Sequence, residues 1–534
     1  MNSLKLITSV VLLFIMTITK SQTVSLNGHI SDKQGNNLFA VNVYLLKQGS
    51  VGTTTDFNGN FTLRLPYSFK LKDEYLVFSF IGYSLLTVPF DSINFSSPIN
   101  IVLAENTQAI NEVVVEGRKS ISKEFSIKEL DKLKIYLSPL SSADPLKAVA
   151  MLPSSTNTNE TANPELRGSD ANRTKVFLNG VPVSNPVRNS QINGIGFFSL
   201  FNTELIKNEF IYPSNPPLVY GNTSAGIIDI ETEDQLESNN YQISISLANA
   251  GVSISRKINS KSFIQLYGNL MFSDGYLYTN PNLNKKLKGF TSNDIGINYH
   301  NELSESISLN FYNYLVSEKS EVFLNFFTWQ DKGKAKAIRD FSIVNLKYHK
   351  SNNNLTLNLG TNFRKSHFTF GNINSTVTQK QVYISINFKH QFSEKLSIQT
   401  GVSNDYSKFN FDDDVPEIYY AMSPDSPSYH TDSILKNSVP EGYLYFRWNP
   451  FRKILWGVGM RKNLELKGSN YFSIQTNLRY NFRKDNSLLF SIGEYHNYSE
   501  PNYEQKEFRL LSAKHFSLEY IYEKRKTIIN LAAY

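Results

Sequence analysis

What most constrains this chain is an alternation of apolar and polar residues that recurs, segment after segment, from residue 236 to 534. Phe472, Ile474, Leu478, Tyr480 and Phe482 share one parity, while Ser473, Gln475, Asn477, Arg479 and Asn481 share the other. A period of two sends successive side chains to opposite sides of a pleated strand, so each such segment has one apolar and one polar face. Val382, Ile384, Ile386 and Phe388 against Ser385, Asn387 and Lys389 repeat the pattern, as do Leu355, Leu357 and Leu359 against Thr356 and Asn358. Strands of a soluble sandwich alternate too, but over about 5 to 6 residues. A bilayer needs roughly 9 to 11, and residues 473–482 and 487–495 reach that length. Short polar turns at 259–261, 304–306, 393–395 and 483–485 separate some strands, and longer polar connections at about 273–288, 317–339 and 408–440 separate others. That asymmetry is the layout of an antiparallel transmembrane β-barrel, with the apolar face toward lipid.

The start of the chain agrees with export. Lys5 precedes an apolar run over residues 6–18, and a short polar end follows at 19–22. This is the layout of a cleaved signal peptide, and the run is shorter than the roughly 20 residues of a spanning helix. No later stretch offers 18 consecutive apolar residues, so any later membrane contact is made by strands. The 30 Tyr and 37 Phe would supply aromatic girdles at two membrane interfaces, although both residues also favour ordinary strands. The absence of Cys excludes disulfides and thiolate metal sites.

Other functions find little support. The formal charge of +7 is a modest excess, without a basic block interleaved with aromatics, so nucleic acid is not an expected partner. The eight His are scattered without ligand spacing, and no Ser or Cys stands in a nucleophile context. Neither catalysis nor a cofactor nor a metal is expected. The run Asp412-Asp413-Asp414 reads as a solvated acidic stretch of a long connection.

Residues 23–104 read as a small β-sandwich. Strands are expected at 24–30 and 40–46, with a turn at 32–36. The run Asp56-Phe57-Asn58-Gly59 supplies acceptor side chains and a glycine, and predicts a tight hairpin between a strand ending at Thr55 and one starting at Phe61. It has too few oxygens for a calcium loop. Further strands follow at 75–80 and 99–103. The run GTTTDFNGNFTL, followed by FSFIGY, resembles the carboxypeptidase-regulatory-like domain that precedes TonB-dependent outer-membrane receptors of the Bacteroidetes type.

Residues 105–119 read as a hinge. Within it Glu112, Val113, Val114 and Val115 resemble a TonB box, a short β-prone stretch that can add to another protein's sheet edge. Residues 120–235 read as an α+β plug. A short helix is expected after Asp144, with Pro145 in its first turn and Pro153 beyond its end. Arg167-Gly168 follows, then a strand, an Asn179-Gly180 turn and a returning strand, and finally Tyr220-Gly221 ahead of the Gly226-Ile227-Ile228 strand. In this order the pieces resemble the plug of TonB-dependent receptors. Gly168, Gly180, Gly221 and Gly226 read as backbone requirements. Arg167 reads either as a partner for acids on the barrel wall or as a solvated turn residue. Two departures stand out: Asn179 replaces the family's usual Asp, and Pro213-Ser214-Asn215-Pro216-Pro217 replaces a glycine-rich stretch.

The fold expectation is therefore mainly β: a sandwich at 23–104, a plug at 120–235, and an outer-membrane barrel at 236–534. About 16 strands can be placed in the last, against about 22 in a plugged transporter barrel, so a truncated barrel is preferred over a smaller complete one. The resemblance implies outer-membrane import of a scarce small-molecule, glycan or peptide ligand. It also implies a TonB-type inner-membrane protein, outer-membrane lipid and a surface lipoprotein as partners. A non-transporting binding or adhesion protein of the same architecture is the alternative, and a soluble all-β binding protein the third. The hinge continues Gly117-Arg118-Lys119, not the Gly-Tyr-Gly of many glycan importers.

Overall fold

The computed structural model describes residues 23–534 except 47–50, 67–73, 81–82, 84–85, 94–96, 105–124, 126–127, 139–140, 142, 151, 153, 158–160, 171–172, 191–193, 195, 214, 283–284, 327–328, 452, 466–469, 484 and 525–526. The signal segment and the hinge, with Glu112, Val113, Val114 and Val115, lie outside the described residues. Contacts divide the chain into two units, residues 1–114 and 115–534.

In the first unit the strands are β1 (Thr23–Asp32), β2 (Asn42–Leu45), β3 (Gly52–Thr54), β4 (Asn60–Pro66), β5 (Tyr75–Ser79), β6 (Leu86–Pro89) and β7 (Ile99–Leu103). One sheet has the order β4-β1-β7 and the other β3-β2-β5-β6. Their inward positions, among them Leu26, Ile30, Val43, Leu63, Leu65 and Phe78, form one core. The Asp56–Gly59 turn corrects the hairpin expectation. Asp56 Oδ1 accepts from the backbone N–H of Asn58 and of Asn60, each at 2.9 Å, and Gly59 has φ 76°. The strands it joins, however, pair in different sheets, so the turn carries the chain across the sandwich.

The second unit begins with an internal domain. Its strands are β8 (Lys128–Asp131), β9 (Lys175–Leu178), β10 (Val181–Val183), β11 (Val187–Arg188), β12 (Phe198–Ser199), β13 (Ile206–Tyr212) and β14 (Ile227–Thr232). Five of them form a mixed sheet ordered β10-β9-β14-β13-β8, in which β9 and β14 are parallel. The helix Pro145–Ala150 starts where expected: Asp144 Oδ1 accepts from Lys147 N at 3.1 Å. Asn179 and Gly180, with φ 49° and 77°, make the type I′ turn that matches the twist of the β9–β10 hairpin.

A 15-stranded sheet follows, every neighbour antiparallel and in chain order. The strands are β15 (Asn240–Ile245), β16 (Asn249–Lys257), β17 (Ser262–Phe272), β18 (Leu287–Glu302), β19 (Ile307–Phe326), β20 (Trp329–Lys350), β21 (Asn353–Phe370), β22 (Ile373–Ser393), β23 (Leu396–Pro416), β24 (Ser428–Phe451), β25 (Ile454–Asn463), β26 (Phe472–Arg483), β27 (Asn486–Tyr498), β28 (Leu510–Lys524) and β29 (Thr527–Ala533). Among the described residues fifteen strands stand beside the expected 16 or so, and β15 and β29 are not paired with each other. Two expected connections are corrected as well. Residues 317–339 and 408–440 are mostly the long ends of β19, β20, β23 and β24, so Asp412, Asp413 and Asp414 lie on β23.

Burial is inverted relative to a water-soluble sheet. On β22, Val382, Ile384 and Ile386 are exposed at 42%, 44% and 45%, whereas Gln381 and Ser385 are at 4% and 2%. Outward side chains of the strand's middle are apolar and the inward ones polar, the arrangement a barrel needs in lipid, while on β19 and β20 Tyr312, Tyr314, Phe341 and Ile343 turn inward against the internal domain.

Candidate functional site

The internal domain meets the sheet's inward face, partly through buried apolar contacts with residues such as Tyr312, Tyr314, Phe341 and Ile343, and buried arginines with carboxylate partners lie along the seam. Arg167 Nη2 lies 2.5 Å from Glu519 Oε1 on β28, with both side chains buried. Arg188, in β11, pairs with Asp294 of β18 through both guanidinium Nη atoms and donates to the carbonyls of Ser199 and Leu200. Arg461 of β25 lies 3.0 Å from Glu441 of β24 and donates to the Leu218 carbonyl at 3.1 Å, gripping the loop that carries Tyr220. Of the three, only Arg167 is a candidate from the sequence, through its Arg-Gly motif. Arg188 meets Asp294 across 106 positions of chain and Arg461 meets Leu218 across 243, and no local pattern marks either contact.

The remaining motif residues serve this seating. Arg167 and Gly168 both have positive φ, 50° and 75°, which turns the Arg167 side chain toward the wall, where its guanidinium also lies 4.9 Å from the Tyr534 ring. Asn179 braces the sheet: its Oδ1 accepts from Thr232 N at 3.0 Å, and its carbonyl accepts from Asn345 of β20 at 2.8 Å. Tyr220 packs near Phe177 and Tyr212 and donates to Asp229 Oδ2 at 2.7 Å. Gly221 passes so close to the wall that a Cβ there would overlap Glu441 Oε2 and Arg461 Nη2. At Gly226 a Cβ would meet Leu166 Cδ1 at 2.5 Å. The structure thus gathers Tyr220 and Gly221 at the Arg461–Glu441 pair, while Arg167 and Gly168 sit apart from them at Glu519.

Among the described residues, two of the cavities lie between the domain and the wall. The larger, about 310 Å³, lies toward the edge of the sheet that carries the connections 417–427 and 499–509. Its charged lining includes Asp170, Arg173 and Lys175 of the internal domain and Glu318, Arg364 and Glu500 of the wall. Phe368, Phe409 and Phe411 add an apolar side. The smaller, about 200 Å³, lies toward the short-turn edge and is lined by amides, among them Asn179, Asn310, Asn345, Asn358 and Asn387, together with charged groups such as Asp234, Lys347 and Lys389. Among the described residues no group of three or more His, Cys, Asp or Glu side chains is placed to hold a metal ion.

One buried acid stands out inside the domain. Glu209 of β13 is fully buried, and among the described residues neither carboxylate oxygen has a hydrogen-bond partner. Burial, and secondarily the neighbouring Asp144, push its carboxyl well above the usual range. Asp144 itself accepts from Ser199 N at 2.6 Å. The sequence does not mark it, since Glu209 follows Lys207 and Asn208 in the strand and reads as one more polar position.

Residues 26–115 match the family described as CarboxypepD_reg-like domain, and residues 137–227 match the TonB-dependent Receptor Plug Domain. Over 103 residues the chain is 31% identical to the TonB-dependent receptor SusC of Bacteroides thetaiotaomicron, a match covering 19% of this chain and 9% of that protein. The match thus spans under a tenth of that relative's length. The ferric yersiniabactin uptake receptor FyuA from Yersinia pestis has a similar fold, with TM-score 0.59, 13% identity, and coverage of 76% of this chain and 71% of that one. The siderophore receptor PirA from Pseudomonas aeruginosa gives TM-score 0.55, 12% identity, and coverage of 76% and 73%. At such identities the likeness is one of fold. The chain carries a carboxypeptidase-regulatory-like domain, then a TonB-dependent receptor plug, then a sheet with the fold of these receptors' barrels.

Proposed function

We propose that this chain acts in the outer membrane as a TonB-dependent receptor that imports a scarce ligand. The observation that carries the reading is the plug, seated on the inward face of a long-stranded sheet by charged, amide and apolar contacts and leaving a cavity toward each edge. Hydrogen bonds and ion pairs in such an interface can exchange with water when the plug shifts, while the apolar contacts of the plug with Tyr312, Tyr314, Phe341 and Ile343 of the wall oppose the shift until force is applied. In outer-membrane barrels longer connections face outward and short turns face the periplasm. The 310 Å³ cavity is then the vestibule in which ligand waits, and the polar cavity of 200 Å³ lies on its way in.

A TonB-type inner-membrane protein would grip Glu112, Val113, Val114 and Val115 and pull. The first plug strand met by that force is β8, an edge strand held to β13 over only four residue pairs. A short edge strand is where local opening is least costly. The ligand belongs to the small-molecule, glycan or peptide range, and a surface lipoprotein could deliver it. Deleting residues 110–116 should abolish uptake while leaving surface binding intact. Unchanged uptake in the deletion strain would refute the reading.

A further inference from the structure

We propose that the larger cavity takes an organic oxyanion, a ligand bearing carboxylate or phosphate groups, and that Arg364 with Arg339 behind it receives the charge. The inference rests on reading this cavity as the ligand vestibule. Three other arginines of the plug–wall interface, Arg167, Arg188 and Arg461, each hold a carboxylate. Arg339 and Arg364 do not: among the described residues neither has a carboxylate within ion-pair distance. Arg339 is 2% exposed, donates to the Asn185 carbonyl at 2.7 Å, and leaves Nη2 buried without a partner. Arg364 lines the cavity and donates to Ser190 Oγ at 2.8 Å. Glu318 and Glu500 lie near enough to act on both guanidiniums but make their direct contacts elsewhere: Glu318 accepts from Asn189 N at 2.7 Å, and Glu500 faces Lys175 at 3.6 Å and accepts from Ser184 Oγ.

Moreover, Arg339 and Arg364 are direct register partners on β20 and β21, on the inward parity of both strands. Like charges directly opposite on neighbouring strands are destabilising, and burial of one of them adds to that. The arrangement becomes favourable when an oxyanion enters, because a guanidinium fork binds carboxylate or phosphate with two parallel hydrogen bonds. Phe368, Phe409 and Phe411 at the same cavity would take the ligand's organic body.

The full chain in detergent can be titrated calorimetrically with phthalate, with inorganic phosphate, and with maltotetraose as a neutral comparator. Binding of either anion at least tenfold tighter than the sugar supports the proposal, and the stronger anion identifies the preferred head group. Arg364→Gln should weaken that binding at least tenfold while leaving the thermal unfolding temperature equal or higher, since a like charge has been removed. Arg364→Lys, which keeps the charge and loses the fork, should weaken binding with the barrel still heat-modifiable. Equal affinity for sugar and anion would overturn the proposal. So would undiminished anion binding in both variants, or variants that lose stability and keep the anion. Uptake that depends on residues 110–116 but shows no anion preference would remove this inference and leave the import reading, and anion binding without such uptake would do the reverse.

Discussion

Arg461 ties the plug to the wall by donating to the Leu218 carbonyl, while Glu441 and Ser403 Oγ on the neighbouring wall strands hold the same guanidinium in place. Removing one partner of a buried pair typically costs about 3–5 kcal/mol, since the other charge is left without compensation. Arg461→Gln should therefore release residues 217–222, and limited proteolysis in detergent should cut there faster than in the parent protein. Gly221→Ala offers an independent check at the same place. Its new methyl must displace Glu441 or Arg461, so the same segment should become labile although no charge has changed. If proteolysis of Gly221→Ala matches the parent, the close approach is not what holds the loop. Little of this contact is legible in the sequence: Gly221 reads as a glycine before a strand, but Arg461 lies on a strand whose alternation looks like any other. Partners brought together by sheet order, hundreds of residues apart, leave no local trace.

At the scale of elements, β13 is the strand on which the plug sheet depends, with β8 on one side and β14 on the other. Glu209 sits within it, opposite Leu130 and Ile230. In the unfolded chain its carboxyl ionises above about pH 4.5, the ordinary value, whereas the folded plug holds the proton to higher pH. The folded state therefore binds more protons over that window, and stability falls as pH rises through it. Glu209→Gln should slow amide exchange across 206–212 at about pH 8 and change it little at about pH 4, below both values at which the carboxyl ionises. An equal effect at both would mean that ionisation is not involved. Elements also explain what the sequence hides about the barrel. Alternation locates β21, β22 and β26, because lipid on one side and polar contents on the other keep the two parities distinct. It fails at 317–339 and 408–440, where runs such as Ser317-Glu318-Lys319-Ser320-Glu321 are polar on both parities. Beyond the bilayer both faces meet water, so the hydrophobic signal ends while the hydrogen-bonded ladder continues to the Phe326–Trp329 and Pro416–Ser428 register pairs.

For the whole molecule, the outward parity of β22 marks where a bilayer fits. It runs Asn374, Thr376, Thr378, Lys380, then Val382, Ile384, Ile386, Phe388, then His390. From Lys380 to His390 is about 34 Å along a strand and about 25 Å after the tilt of a barrel strand, the height of a lipid-facing band. Neighbouring strands agree in register. Lys380 stands opposite Lys408, and Lys408 opposite Lys436, while Ile386 stands opposite Leu357 and Val402. Near the short-turn edge Trp448 and Trp456 pair across strands at 6.0 Å, as an aromatic girdle would. The belt makes an asymmetric prediction. Ile386→Lys places a charge near mid-depth and should cost about 2–4 kcal/mol, seen as a loss of heat-modifiable protein from the outer-membrane fraction. Lys380 already carries the same charge on the same face of the same strand, and Thr378→Lys, one outward position beyond it, should assemble normally. Charge is then tolerated or rejected by depth alone. If Ile386→Lys assembles as well as Thr378→Lys, the outward face of this sheet does not lie against lipid, and its exposed apolar rows must be covered by protein instead.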